Sequence, residues 1–104
     1  MIVEERTYRI KPCKLPTYLD LYDGRPRQLQ QAILGNLVGY FTTESGDLNN
    51  LVHLWAYDSL DQRAARRALL AQEADWQAFL ERCTPLILKM TNRFLAPLPF
   101  SPLR

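Results

Sequence analysis

The chain has 104 residues, of which 47% are hydrophobic and 23% charged, a composition typical of one globular domain with no room for a second. The formal net charge of +2 is too small for a nucleic-acid-binding or membrane-surface protein. No apolar run approaches membrane-spanning length, and the first six residues are too polar for a signal peptide. We therefore expect one cytoplasmic domain over residues 1–104, with Cys13 and Cys83 as reduced thiols.

The first third of the chain predicts a strand followed by an interrupted helix. Residues 2–11 mix β-branched and aromatic side chains with charged ones, which is typical of a strand. Pro16 suits the first turn of a helix, and apolar residues follow it at helical spacing. Gly24 and Pro26 interrupt this helix, and Gly35 supplies its C-terminal cap.

The middle of the chain predicts a hairpin and then a capped helix. Residues 38–44 and 51–57 have the composition of strands, and the Ser-Gly-Asp sequence between them favours a turn. Ser59 is a suitable N-cap, and Gln62 three residues later completes a capping box. This helix, rich in Ala, Arg and Leu, is expected to end near Gln72.

The last third predicts another helix and a final strand. Asp75 is a candidate cap for a helix whose apolar face runs as far as Ile87 and Met90. Pro85 lies inside this pattern and predicts a kink or a restart. A strand over residues 91–96 completes the order, and the proline-rich tail that follows should be extended, with Leu98 and Phe100 against the body or a partner.

The order β-α-β-β-α-β predicts an α+β fold of ferredoxin-like type, with helices on one face of a four-stranded sheet. The strand at residues 51–57 is bulky on both faces, so the helix-free face needs a cover, and we expect a homodimer formed sheet to sheet. Val52, Leu54 and Ala56 form its more apolar face, which we expect beneath the helices. His53, Trp55 and Tyr57 should then point away from them.

Three segments resemble the NIPSNAP family: residues 4–12, the stretch Gly-Tyr-Phe-Thr-Thr-Glu at 39–44, and Val-His-Leu-Trp-Ala-Tyr-Asp-Ser-Leu at 52–60. The resemblance covers nearly the whole chain. It implies a dimeric α/β barrel in which two ferredoxin-like sheets enclose a shared interior, as in cofactor-independent monooxygenases and haem-binding proteins. The family has no settled activity. Cys13 stands where such proteins usually place glycine, which predicts a negative φ or a modestly strained turn there.

The candidate site is built around His53, the one histidine of the sequence. Trp55 and Tyr57 share its strand face, and Glu4, Arg6 and Tyr8 share a face of the first strand, which is adjacent in this topology. Apolar walls with a few polar groups are typical of a small-molecule pocket. The predicted catalytic residues are His53 and Arg6, and the predicted ligand-binding residues are Glu4, Tyr8, Tyr40, Trp55 and Tyr57.

Each of these residues also has a structural interpretation. A lone histidine on a strand face is more often a hydrogen-bonded core or interface residue, and Glu4 with Arg6 can be an ion pair across the dimer seam. The basic cluster of Arg63, Arg66 and Arg67 is interpreted as a solvated helix face rather than an anion site.

Two functions stay open. The first is a module that binds a small apolar or aromatic molecule without chemistry. The second is a cofactor-independent monooxygenase or isomerase with His53 as base and Arg6 stabilising an oxyanion. The sequence contains no nucleotide-binding, zinc-protease or serine-hydrolase motif and no acidic pair at metal-ligand spacing with a histidine. We predict no metal and no cofactor.

Overall fold

A computed structural model, describing residues 1–103, shows a four-stranded antiparallel sheet in the order β2-β3-β1-β4. The elements in chain order are β1 (Ile2–Ile10), α1 (Leu15–Tyr22), α2 (Arg25–Leu34), β2 (Asn36–Thr42), β3 (Asn50–Tyr57), α3 (Leu60–Ala71), α4 (Ala74–Cys83) and β4 (Ile87–Leu95). A short 3-10 turn, Thr84–Leu86, precedes β4. The predicted α+β class and the β-α-β-β-α-β order are confirmed.

The helix boundaries follow from the residues that cap them. Glycine at position 24 separates α1 from α2, as predicted, and Gly35 ends α2 with a φ of 91° that disfavours other residues. A Cβ at Gly35 would also collide with the guanidinium of Arg66. At the start of α3 the Ser59 hydroxyl accepts a hydrogen bond from the backbone N–H of Gln62, while the Gln62 side chain accepts one from the N–H of Asp58.

Two boundaries in the last third differ from the prediction. Glu73, not Asp75, occupies the N-cap position of α4. At Pro85 the α-helix has ended and a 3-10 turn has begun, which fits the predicted restart, but the chain then enters β4 instead of continuing as a helix. Ile87 and Met90, assigned from the sequence to a helix face, therefore lie in the strand, because a proline within a helix removes a backbone donor and clashes with the preceding turn.

The helices cover the face of the sheet opposite to the one we expected. Leu51, His53, Trp55 and Tyr57 are at most 2% exposed and pack beneath the helices, whereas Val52 and Leu54 remain half-buried on the helix-free face. The expectation that His53 and its companions point away from the helices is therefore wrong. Large aromatic side chains bury more area than valine and leucine do, and this face carries most of them.

The core beneath the helices consists of two adjoining clusters. One joins Tyr8 and Ile10 of β1 with side chains of α1, β3 and α4, and the other joins Trp55 and Tyr57 with α2 and α3. Trp76 of α4 packs against both clusters. Trp76 also packs against Phe79, with a ring-centroid separation of 5.1 Å.

The C-terminal tail has no helix or strand over residues 96–103, as expected. It runs beside the helix-free face, where Leu98 and Phe100 border a cavity of about 300 Å³ together with Val3 and Leu54. The Phe100 ring is 81% exposed on the single chain. Of the two expected covers for Phe100, the body does not bury it, and burial against a partner stays a prediction.

Candidate functional site

The sheet register brings the predicted site residues of β1 and β3 together. Arg6 lies opposite His53, and Glu4 lies opposite Trp55. On the other side of β3, Tyr40 of β2 lies opposite His53. The central strands therefore carry one continuous polar and aromatic patch, located between the sheet and the helices.

Glu4 is a fully buried carboxylate held by three donor side chains. Arg63 of α3 donates to both of its oxygens, at 3.0 and 2.7 Å, and Arg6 and Asn92 donate to Oε2 at 3.1 and 2.8 Å. Burial by itself would raise the pKa of Glu4, but the hydrogen bonds from Arg63 and Asn92 and the charge of Arg6 outweigh it and lower the pKa to about 2. Glu4 and Arg6 thus form an ion pair within one chain, not across a seam.

His53 is fully buried among aromatic rings. Its ring stacks on Tyr40 at 4.4 Å and meets the edge of Tyr8 at 4.9 Å. Trp55 Nε1 donates to His53 Nδ1 at 2.7 Å, so the proton of the neutral ring lies on Nε2, which has no partner in residues 1–103. Burial, followed by the charge of Arg6, lowers the pKa of His53 to about 3. The imidazole is therefore a hydrogen-bond donor and a weak base at neutral pH.

The basic cluster of α3 points inward, so its interpretation as a solvated face is wrong. Arg63 binds Glu4, and Arg66 Nη1 donates to the carbonyl oxygen of Leu34 at 2.9 Å. Arg67 is half-buried, and burial, followed by the charges of Arg6 and Arg63, lowers its pKa. These arginines share a helix face with buried Leu70, and that spacing is the signal that could have placed them beneath the helices.

A cavity of about 240 Å³ lies between the sheet and helices α2, α3 and α4. Its apolar wall includes Trp76, Leu80 and Met90. Met90 and Leu80 are 52% and 40% exposed, so the cavity opens to solvent between β4 and α4. Its lining residues are Arg6, Tyr8, Gln30, Arg67, Leu70, Ala71, Trp76, Leu80 and Met90.

Two of the predicted site residues, Arg6 and Tyr8, line this cavity, and they are joined by a hydrogen bond of 3.1 Å from Arg6 Nε to the Tyr8 hydroxyl. The other predicted residues lie behind this wall. They are Glu4, which binds Arg6, and the packed rings of Tyr40, His53, Trp55 and Tyr57. Gln30, Arg67 and Trp76 were missed as site residues, and nothing local in the sequence marks Gln30.

No grouping of three or more His, Cys, Asp or Glu side chains in residues 1–103 is arranged to hold a metal ion. None of the helices in the same residues has the length and hydrophobicity needed to cross a membrane.

This fold, a four-stranded antiparallel sheet with helices on one face, is an α+β fold of ferredoxin-like type. At the level of fold it matches a putative antibiotic biosynthesis monooxygenase from Nitrosomonas europaea, with a TM-score of 0.68 at 12% identity over 94% of this chain and 99% of that one. The family model named NIPSNAP matches residues 3–102, and the chain belongs to the NIPSNAP family.

Relatives within the family are considerably more similar. The crystal structure of a NIPSNAP family protein from Agrobacterium tumefaciens superposes with a TM-score of 0.96 at 50% identity, covering 99% of this chain and 98% of that one. NipSnap homolog 1 of Danio rerio is 39% identical over 67 residues, which are 64% of this chain and 24% of the homolog. The chain thus spans about a quarter of the length of that relative.

Proposed function

We propose that this protein binds a small apolar or aromatic molecule in the cavity between its sheet and its helices. The observation that carries the proposal is the 240 Å³ cavity itself, which combines an apolar wall with the polar groups of Arg6, Tyr8, Gln30 and Arg67. Concave sites with mostly apolar walls and a few fixed polar groups are characteristic of ligand sites. An apolar cavity of about 150 Å³ accommodates benzene, so this one suits a single ring with a short substituent.

The alternative function, a cofactor-independent monooxygenase or isomerase with His53 as base, has less support. A pKa lowered to about 3, together with an Nδ1 atom occupied by Trp55, leaves His53 unable to accept a proton efficiently at neutral pH. The similarity to a monooxygenase is one of fold alone, at 12% identity. Consumption of oxygen with a bound aromatic compound would favour this alternative, and recovery of the ligand unchanged favours binding.

The proposal includes a homodimer in the cytoplasm, formed through the helix-free face of the sheet. Val52 and Leu54 are half-buried there, and Phe41 is 57% exposed. A stable interface buries on the order of 1,000 Å² or more. An apolar sheet face of this kind is suitable as the buried centre of such an interface. Light scattering should report a dimer at micromolar concentration, and Leu54→Glu should make the protein monomeric. Leu69→Glu, at an exposed position of α3, is the control and should remain dimeric.

The cavity can be tested with a pair of alanine variants on the same helix. Ala71 lines the cavity, and Ala65 is exposed elsewhere on α3. In a thermal-shift screen of small aromatic compounds, a ligand should raise the melting temperature of the wild type and of Ala65→Phe. Ala71→Phe, which fills the cavity, should abolish the shift. A ligand that stabilises both variants equally would bind elsewhere and would overturn the proposal.

A further inference from the structure

The cavity has a cation on its wall, Arg67, that no carboxylate of the described residues contacts. Arg67 makes no ion pair and no hydrogen bond within the described part of the chain, although it is half-buried and lies beside Arg6 and Arg63. A guanidinium withdrawn from water without a partner is unfavourable unless something else satisfies it. Arg67 therefore has hydrogen-bond donors that no residue of the described part of the chain uses.

The nearest carboxylate is already fully used. Glu4 accepts two hydrogen bonds from Arg63, one from Arg6 and one from Asn92. One negative charge thus lies among three guanidinium groups, and Arg67 feels its field without a hydrogen bond or ion pair to it in the described residues. The excess positive charge lies next to the cavity, where a ligand can reach it.

The other polar groups on the cavity wall are also free to donate. The Tyr8 oxygen accepts from Arg6 Nε, which leaves the hydroxyl proton available. The Gln30 oxygen accepts from the Tyr22 hydroxyl, which leaves the amide N–H groups available. A wall that offers three kinds of donor and a net positive charge is complementary to an anionic group rich in acceptors.

We propose that the cavity ligand is a small aromatic carboxylate whose carboxylate pairs with Arg67 and whose ring packs against Trp76. This inference deepens the proposed function and rests on it. The carboxylate geometry suits a planar guanidinium, which binds both oxygens at once. The apolar side of the cavity, formed by Trp76, Leu80 and Met90, accepts the ring.

The test compares phenylacetate with its neutral amide, phenylacetamide, by titration calorimetry. The wild type should bind the acid about tenfold or more tightly than the amide, since a hydrogen-bonded ion pair of this kind contributes that much. Arg67→Met should bind the amide as the wild type does and lose the preference for the acid. Arg67→Lys, which keeps the charge and serves if the methionine variant fails to fold, should retain part of the preference. Arg82→Gln on α4, outside the cavity, is the matched control and should behave as the wild type.

The outcomes separate the two proposals. Equal binding of acid and amide by the wild type overturns the carboxylate inference and leaves the binding function intact. Binding of neither compound overturns both. A preference that survives in Arg67→Met also contradicts the inference, because the anion would then be held by another group. A melting temperature of unliganded Arg67→Met at or above that of the wild type supports the role of Arg67 in binding, and a marked decrease argues for a structural role instead.

Discussion

Arg63 of α3 donates hydrogen bonds to both oxygens of Glu4, at 3.0 and 2.7 Å, and so connects the helix layer to the central strand β1. Removing one partner of a buried pair leaves the other charge uncompensated. Glu4→Gln should therefore lower the free energy of unfolding by about 3–5 kcal/mol, measured by urea denaturation.

The neighbouring residue provides the matched control. Glu5 points to the opposite face of the same strand and pairs with Arg93, whose side chain is 69% exposed. Exposed pairs of this kind contribute less than about 1 kcal/mol, so Glu5→Gln should be nearly neutral. Equal losses for the two variants would show that the Glu4 network does not hold the layers together.

Stability should fall on acidification in two stages that belong to different residues. A histidine that folds with its pKa lowered from 6.5 to about 3 stabilises the native state above pH 6.5, and this contribution is lost as the pH falls towards 3. The lowering of the Glu4 pKa from 4.5 to about 2 also stabilises the native state, and this contribution is lost only as the pH falls below about 4.5.

Between pH 6.5 and 4.5 the free energy of unfolding should therefore fall by about 1.4 kcal/mol per pH unit on account of His53. In His53→Asn, whose side-chain oxygen can still accept from Trp55, this slope should disappear, while the loss below pH 4.5 that Glu4 causes persists. NMR of the imidazole nitrogens checks the cause directly. A ring that becomes charged at pH 6 in the folded protein would contradict it.

The turn after β1 carries backbone strain that a glycine would relieve. Cys13 adopts a φ of 65°, the strained conformation that the sequence left open. The left-handed region costs an ordinary L-residue about 1–2 kcal/mol, partly offset by the greater unfolded-state entropy of glycine. Cys13→Gly should therefore raise the free energy of unfolding by about 0.5–1 kcal/mol.

Asn49, with the same φ of 65°, is the control for this variant. Asparagine tolerates the left-handed region better than other residues do. Asn49→Gly should therefore give a smaller gain in thermal or urea denaturation. A loss of stability in Cys13→Gly would mean that the cysteine side chain contributes more than its backbone strain removes.

The sequence was sufficient for the element order, because turn residues and side-chain periodicity determine it, and the ferredoxin-like topology that this order predicts implied the pairing of β1 with β3. It was insufficient for the orientation of the sheet, because β3 has apolar residues on both faces. Val52 and Leu54 looked like the better packing surface for helices, yet the structure buries His53 and Trp55 there. Polar groups can be buried on the helix-covered face when they have hydrogen-bonding partners such as Arg63, which comes from a helix distant in the sequence. No local sequence pattern indicates such partners.

Dependence on tertiary packing also explains why the sequence identified only part of the cavity wall. Arg6 and Tyr8 were identified because strand alternation places them together. Arg67 and Gln30 come from two helices whose approach depends on tertiary packing, so spacing along the chain does not connect them with β1. The location of these groups beneath the helices required the structure.

The central claim is that the ligand lies between the sheet and the helices of one protomer and not between two sheets. Methyl NMR with bound phenylacetate tests it directly. We expect nuclear Overhauser contacts from the ring protons to the methyl groups of Met90, Leu70 and Leu80. Contacts to Val52 and Leu54, on the helix-free face, would place the ligand in the interior of a dimeric barrel and contradict the account.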